Sequence, residues 1–251
     1  MSYQRSVDFA AYPSDAYGAQ FLYSGERAIV IGSNVPAGAA APAQHVHPVD
    51  QLYYVVHGVM HVQLGGDVHV AGPNTLVFIP AGTPHHNWNE GAEDEFHFEV
   101  LAPMPPRRIA LLEPSDETDL AGRTPLIVPL AQDGVATTLP GRASQRLLRR
   151  ADGSAHMSLS VATLEPGAAG APLHVHPFDQ FHYVLEGALS VQVGLEHATA
   201  AAHTLVVLPE GVPHAHRNEG GAVERHISVI APEPHPTDTA PWDVAVELIA
   251  R

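Results

Sequence analysis

The chain repeats itself at a spacing of 129 residues. His45-Val46-His47-Pro48-Val49-Asp50-Gln51 returns as His174-Val175-His176-Pro177-Phe178-Asp179-Gln180. Pro80-Ala81-Gly82-Thr83-Pro84-His85 returns as Pro209-Glu210-Gly211-Val212-Pro213-His214. The offsets agree without a gap: 174 − 45 = 129, 180 − 51 = 129 and 214 − 85 = 129. Such a repeat implies two copies of one domain in tandem, and 251 residues suffice for two of ordinary size. Each copy offers three imidazoles and one amide oxygen, a set of donors suited to a metal ion.

Composition narrows the architecture. Only 16% of residues are charged, while 23 prolines and 21 glycines punctuate the chain. That balance suits many short strands joined by tight turns. The net charge of −15 repels phosphate backbones and anionic lipid, so nucleic acid and membrane surfaces are not expected as partners. The absence of cysteine excludes disulfides, thiolate catalysis and cysteine-based metal sites. The first residues lack the apolar run of a signal peptide, and no segment has the ~20 apolar residues that span a bilayer. The expectation is a soluble, cytoplasmic protein.

Residues 1–27 read as an irregular or edge-strand lead-in, followed by a short buried strand at Ala28-Ile29-Val30-Ile31. A Pro- and Gly-containing loop precedes the first ligand strand, where His45 and His47 share a face because side chains alternate along a strand. The next strand runs from Asp50 to Val56, with Gln51, Tyr53 and Val55 on one face. Met60, Val62 and Leu64 form an apolar face, and Leu76–Ile79 is a continuous apolar run covered on both sides. Residues 80–84 make a tight loop that delivers His85. Residues 96–101 close the module, and 104–125 read as a linker. The second module repeats this plan, and 244–249 add an edge strand. The domains are expected at 1–115 and 116–251. Regularly spaced short strands without a long amphipathic helix mean an all-β sandwich or barrel.

The motifs carry a resemblance. Gly38, His45, His47, Gln51 and Gly58, with Gly167, His174, His176, Gln180 and Gly187, match the first cupin motif. Pro80, Gly82, His85 and Asn89, with Pro209, Gly211, His214 and Asn218, match the second. The sequence therefore resembles a bicupin, and the resemblance implies two tandem double-stranded β-helix (jelly-roll) barrels. It also implies metal ligation by His45, His47, Gln51 and His85 and by His174, His176, Gln180 and His214. Many cupin enzymes have Glu where this chain has Gln51 and Gln180. The neutral amide is similar to the three-His-one-Gln subset, which includes the bacilysin-biosynthesis bicupin isomerase. An ion held by four neutral donors keeps its full charge of +2, which strengthens it as a Lewis acid. Two octahedral positions stay open, for a bidentate substrate or for substrate and dioxygen. The donors suit Fe(II) first, and Mn, Co, Ni, Cu or Zn as well.

Tyr53 and His182 occupy equivalent positions on the face of Gln51 and Gln180, and Asn87 and His216 form a similar pair. These four are the candidate catalytic residues around the metal. His97 and His226 also repeat and read as buried, hydrogen-bonded histidines. Asp50 and Asp179 point away from the Gln and read as turn or inter-strand acceptors. The leading expectation is a metal-dependent bicupin dioxygenase acting on a small oxygenated molecule such as a diketone, enol or catechol-like compound. The alternatives are an isomerase, cyclase or lyase working through an enolate, and a non-enzymatic small-molecule-binding cupin. The chain is expected as a monomer or homodimer. Removing one donor from each copy tests the shared premise. By plasma mass spectrometry, the His45→Ala/His174→Ala variant should hold about two fewer metal equivalents than the wild-type chain.

Overall fold

The computed structural model describes residues 3–105, 123–131, 135–136, 140–238 and 242–247. The described residues contain no α-helix, only 3-10 turns at Phe9–Ala11 and Arg150–Asp152. No helix among them is long and apolar enough to cross a membrane. The strands of the first repeat are β2 (Gly18–Ser24), β3 (Ile29–Val35), β4 (Asp50–His57), β5 (Met60–Leu64), β6 (Asp67–Ala71), β7 (Thr75–Ile79), β8 (His85–Trp88) and β9 (Glu95–Ala102), preceded by β1 (Gln4–Ser6). Then come β10 (Leu126–Pro129), β11 (Val135–Ala136), β12 (Arg142–Leu148), β13 (Ser158–Leu164), β14 (His174–Val175), β15 (Asp179–Glu186) and β16 (Ala188–Val193). The chain closes with β17 (Glu196–Ala201), β18 (Thr204–Leu208), β19 (His214–Arg217), β20 (Glu224–Ala231) and β21 (Val244–Ala245).

The chain is all-β and forms two tandem jelly-roll barrels. The first sets the six-stranded sheet β10-β7-β4-β9-β3-β2 against the three-stranded sheet β6-β5-β8. The second sets β1-β18-β15-β20-β13-β12-β11 against β17-β16-β19-β14-β21. The repeat extends to strand boundaries: β3, β4, β7 and β9 recur as β13, β15, β18 and β20 at the same offset, as in 158 − 29 = 129. Alternation places Met60, Val62 and Leu64 inward, where they pack with Tyr53, Val55, Val77 and Ile79. Each such aliphatic side chain contributes roughly 1.5–3 kcal/mol relative to exposure. Leu164, Val184, Leu189, Val191, Val193, Val206 and Leu208 build the corresponding core of the second barrel. Every residue of β7 and β18 is buried, as the continuous apolar runs implied.

Three features differ from the sequence expectation. The His45–His47 segment is not a full strand; His45 makes an isolated antiparallel bridge to His85, and β14 is only two residues long. Pro42 and Pro48, and Pro172 and Pro177, flank these segments and cannot donate to a ladder. The strand β6 is largely exposed and carries little apolar pattern, so it escaped notice. The boundary expected between 115 and 116 lies outside the described residues, as do most of the linker and Ile249. The compact units are not contiguous stretches. β1 pairs with β18 in the second unit, whereas β10 pairs with β7 in the first, which also takes Arg150–His156. Edge strands are won by hydrogen bonds to an open sheet edge, not by proximity in sequence.

Gly58 joins β4 to β5 with φ +71°, and Gly187 does the same in the second barrel with φ +73°. A Cβ at Gly58 would also run into the Asp94 carbonyl oxygen and lie 2.8 Å from the Glu95 Cα. The substitution Gly58→Ala should therefore cost about 1–3 kcal/mol in urea unfolding, from left-handed strain and a backbone clash. Gly66→Ala, which meets open space, should stay near neutral.

Candidate metal centre

The motif loops bring three imidazoles together in each barrel. His45 and His85 exchange backbone hydrogen bonds, at 3.1 Å from His45 N–H and 2.9 Å from His85 N–H. The Gly82 N–H donates to the His47 carbonyl at 2.8 Å, so the Pro80–Pro84 loop is tied to both sides of the His-x-His segment. Asp50 supplies a further tie: its Oδ1 accepts the Ala81 N–H at 3.0 Å, and its Oδ2 accepts the Ala155 N–H at 3.0 Å. Arg123 pairs with the same buried carboxylate. In the second barrel Asp179 accepts the Glu210 N–H at 3.0 Å. These aspartates hold the loop that delivers the third histidine.

Ring centroids lie 4.4–5.2 Å apart among His45, His47 and His85, and 4.3–5.8 Å apart among His174, His176 and His214. Within each set the candidate ligand atoms lie within 4.8 Å of one another. Most of these rings are oriented through Nδ1. His45 Nδ1–H donates to the Ala43 carbonyl at 2.8 Å and His85 Nδ1–H to Thr83 at 2.9 Å. His174 donates to Pro172, His176 to Phe178 and His214 to Val212, at 2.7, 2.7 and 2.9 Å. A neutral imidazole that donates at Nδ1 presents a lone pair at Nε2. The buried Nε2 atoms of His85 and His214 have no hydrogen-bond partner among the described residues.

The fourth candidate donors, Gln51 and Gln180, are held by partners on neighbouring strands. Gln51 Nε2–H donates to Glu99 Oε1 at 2.6 Å, and Gln180 Nε2–H donates to Ser228 Oγ at 2.8 Å. The Glu99 carboxylate, which accepts, turns the Gln51 amide nitrogen toward itself. Gln180 Oε1 lies 3.0 Å from His176 Nε2. Gln51 Oε1 is buried without a hydrogen-bond partner among the described residues. Clustered lone pairs repel in a low dielectric unless a cation or proton lies among them. Both donor sets therefore fit a divalent metal.

Around these sets the barrels diverge. Tyr53 is buried, with its ring 6.4 Å from His85 and 4.7 Å from His97. Burial, helped by Glu99 and Tyr17, pushes its hydroxyl well above the ordinary value, so it stays protonated. Asn87 is buried too, and its Nδ2 has no partner among the described residues. His97 bonds to both Glu95 oxygens; burial opposes its charge, but Glu95 outweighs that and raises its pKa. In the second barrel His182 and His216 meet His226, which is bonded to Glu224. Sequence reasoning missed three groups. Glu99 is held by Gln51 and by Ser33, whose hydroxyl donates to Oε2 at 3.3 Å. Glu95 and Glu224 repeat two residues before His97 and His226, a signal that was available. Asp243, beside β21, puts Oδ1 3.9 Å from His174 Nε2.

Comparison with known proteins agrees with this geometry. The family model described as Cupin domain matches residues 33–101 and 160–230, more than half the chain and all eight converging donors. The fold is similar to that of Bacillus subtilis oxalate decarboxylase, characterised for its Mn(II) centres, with TM-score 0.67 and 16% identity over 97% of this chain and 79% of that one. It is also similar to a Pseudomonas aeruginosa protein described as glyoxylate-induced, with TM-score 0.69 and 17% identity over 90% and 83% of the two chains. A cupin 2 conserved barrel domain protein from Leptotrichia buccalis gives TM-score 0.64 and 12% identity over 90% and 96%. At these identities the likeness concerns the fold alone. No curated protein sequence matches the chain.

Burial makes the imidazoles hard to protonate. It pulls His45, His85 and His176 down, and lowers His214 from 6.5 to about 4. Between those values the unfolded chain binds the proton and the folded chain does not, so folding stability rises with pH. The contribution is complete above about 6.5 and is lost as pH falls through about 4. From His214 alone the loss at pH 5 is about 2 kcal/mol. The urea midpoint of the metal-stripped chain should thus fall between pH 7 and pH 5; an unchanged midpoint would contradict the buried, neutral triads.

Proposed function

This chain belongs to the cupin family, with both of its barrels matched, and on that footing we propose a metal-dependent bicupin oxidoreductase, a dioxygenase of a small oxygenated organic molecule. The observation that carries the reading is the neutral donor set: three imidazoles converge in each barrel, and in the second the Gln180 amide lies 3.0 Å from His176. The proposed ligands are His45, His47, Gln51 and His85, and His174, His176, Gln180 and His214. A bound divalent ion, Fe(II) in this proposal, supplies Lewis acidity and a route for electrons to dioxygen.

The chain's own residues orient and exclude. The Nδ1 bonds hold the rings so that no reorganisation is needed when substrate arrives. Gln51 and Gln180 add no negative charge, which favours an anionic or enolised oxygen ligand. The B. subtilis neighbour is named for oxalate, a small oxygen-rich acid of that donor type. In the first barrel burial raises the pKa of the Glu99 carboxyl behind Gln51, which makes it the better proton acceptor there. Tyr53 is held protonated, and both Glu99 oxygens take hydrogen bonds, from Gln51 and Ser33.

A second reading rests on Asp243. Its carboxylate is more than half exposed and stands beside His174, fixed by the pairing of β21 with β14. A carboxylate there is placed to take a proton from a chelated substrate, as an isomerase, cyclase or lyase working through an enolate requires. Oxygen-electrode assays of the iron-loaded chain with a β-diketone and a catechol separate the readings. Dioxygen uptake in step with substrate loss is the expected outcome. Turnover under strict anaerobiosis would instead establish the enolate chemistry, and binding without turnover would leave a non-enzymatic module.

A further inference from the structure

The geometry points to a metal site inside the second barrel, formed by His182, His216 and His226 and separate from the eight donors at the two mouths. The three residues come from different strands, β15, β19 and β20. Their ring centroids lie 4.5–5.4 Å apart, and one nitrogen from each lies within 4.8 Å of the others. All three are at most 8% exposed.

The polar accounting of this cluster does not close on protein atoms. Both ring nitrogens of His182, both of His216 and Nε2 of His226 are buried without a hydrogen-bond partner among the described residues. Buried polar atoms are almost always paired, and a core with no use for them would hold aliphatic side chains. His226 is arranged as a metal-binding histidine: Nδ1–H donates to both oxygens of the fully buried Glu224, at 3.0 Å each, which leaves the Nε2 lone pair free.

The internal repeat shows that the cluster is not a by-product of the fold. The first barrel keeps the Glu95–His97 pair but has Tyr53 and Asn87 where the second has His182 and His216. Two separate positions are thus histidine in one copy only, and both converge on the histidine that the copies share. His216 lies two residues beyond His214 on one face of β19, ~6.6 Å along the strand, as His182 does beyond Gln180. The second barrel therefore stacks two donor layers, one at the mouth and one below it. Gly170 covers the His216 ring with backbone alone, since a Cβ there would collide with its Nε2. Gly170 and His216 both line an open groove of about 670 Å³, which offers an access path. Arg142 opposes a cation here, while the Glu224 carboxylate stands behind His226. Three nitrogen donors select a borderline first-row divalent ion such as zinc or cobalt over magnesium or calcium.

The test exploits the repeat. The variant His182→Tyr/His216→Asn installs the first barrel's own residues at these places and leaves every mouth donor intact. Chelator-stripped wild-type and variant chains are titrated with Co(II), reading bound equivalents and ligand-field absorption. The variant should bind one equivalent fewer; equal stoichiometry would overturn the inner site. The two proposals separate here. Wild type binding one ion and the variant none would keep the inner site and sink the mouth sites; two ions in both chains would do the reverse. Anomalous scattering across the zinc edge, from crystals of the zinc-loaded wild-type chain, needs no variant. A peak among the three rings is expected, and its absence would overturn the site.

Discussion

Both mouths depend on one kind of hydrogen bond, from an imidazole Nδ1 to a nearby backbone carbonyl. For His45, His85, His174 and His214 the acceptor is the residue two positions earlier. The bond is local, so each short motif carries its own means of aiming a ring. It sets the tautomer as well as the orientation, and an Nε2 lone pair follows from it. Burial then disfavours the charged form of His45, His85 and His214. The rings are held as ligands before any ligand exchange takes place, at the cost of placing several acceptors close together.

That cost is supportable because the loops behind the rings are rigid. Asp50 and Asp179 each accept a backbone N–H from the Pro-x-Gly loop and so hold the third histidine against the first two. The glycines at the hairpin after β4 and β15 adopt a left-handed turn where the next backbone leaves no space for a Cβ. The jelly roll supplies the frame, and these few polar contacts supply the precision.

The two barrels share this frame but differ within it. Behind the amide donor the first barrel has a buried carboxylate, Glu99, and the second a hydroxyl, Ser228. Beside it the first has a phenol and the second an imidazole. Asp243 stands at the second mouth, anchored by β21. Copies that had diverged only by drift would not be expected to keep both donor sets intact while changing their polar surroundings so consistently.

Much of this was legible in the sequence because the determinants are local or periodic. The repeat, the His-x-His and Pro-x-Gly-x-x-His spacings and the alternation in β5 each act within a few residues, and they specified two all-β barrels with matching donor sets. The amide orientation of Gln51 was not legible, since Glu99 reaches it from 48 residues away. Nor was the partner of His182, because only strand register decides which inward side chains from β15, β19 and β20 share one layer. The same holds for edge strands: β1 joins the second barrel and β10 the first because open sheet edges take whichever strand completes their hydrogen bonds. Chain-local spacing alone determined which candidate donors share a motif. Tertiary packing decided what stands behind each donor, because burial and long-range register set the charge, partners and dielectric that a side chain meets.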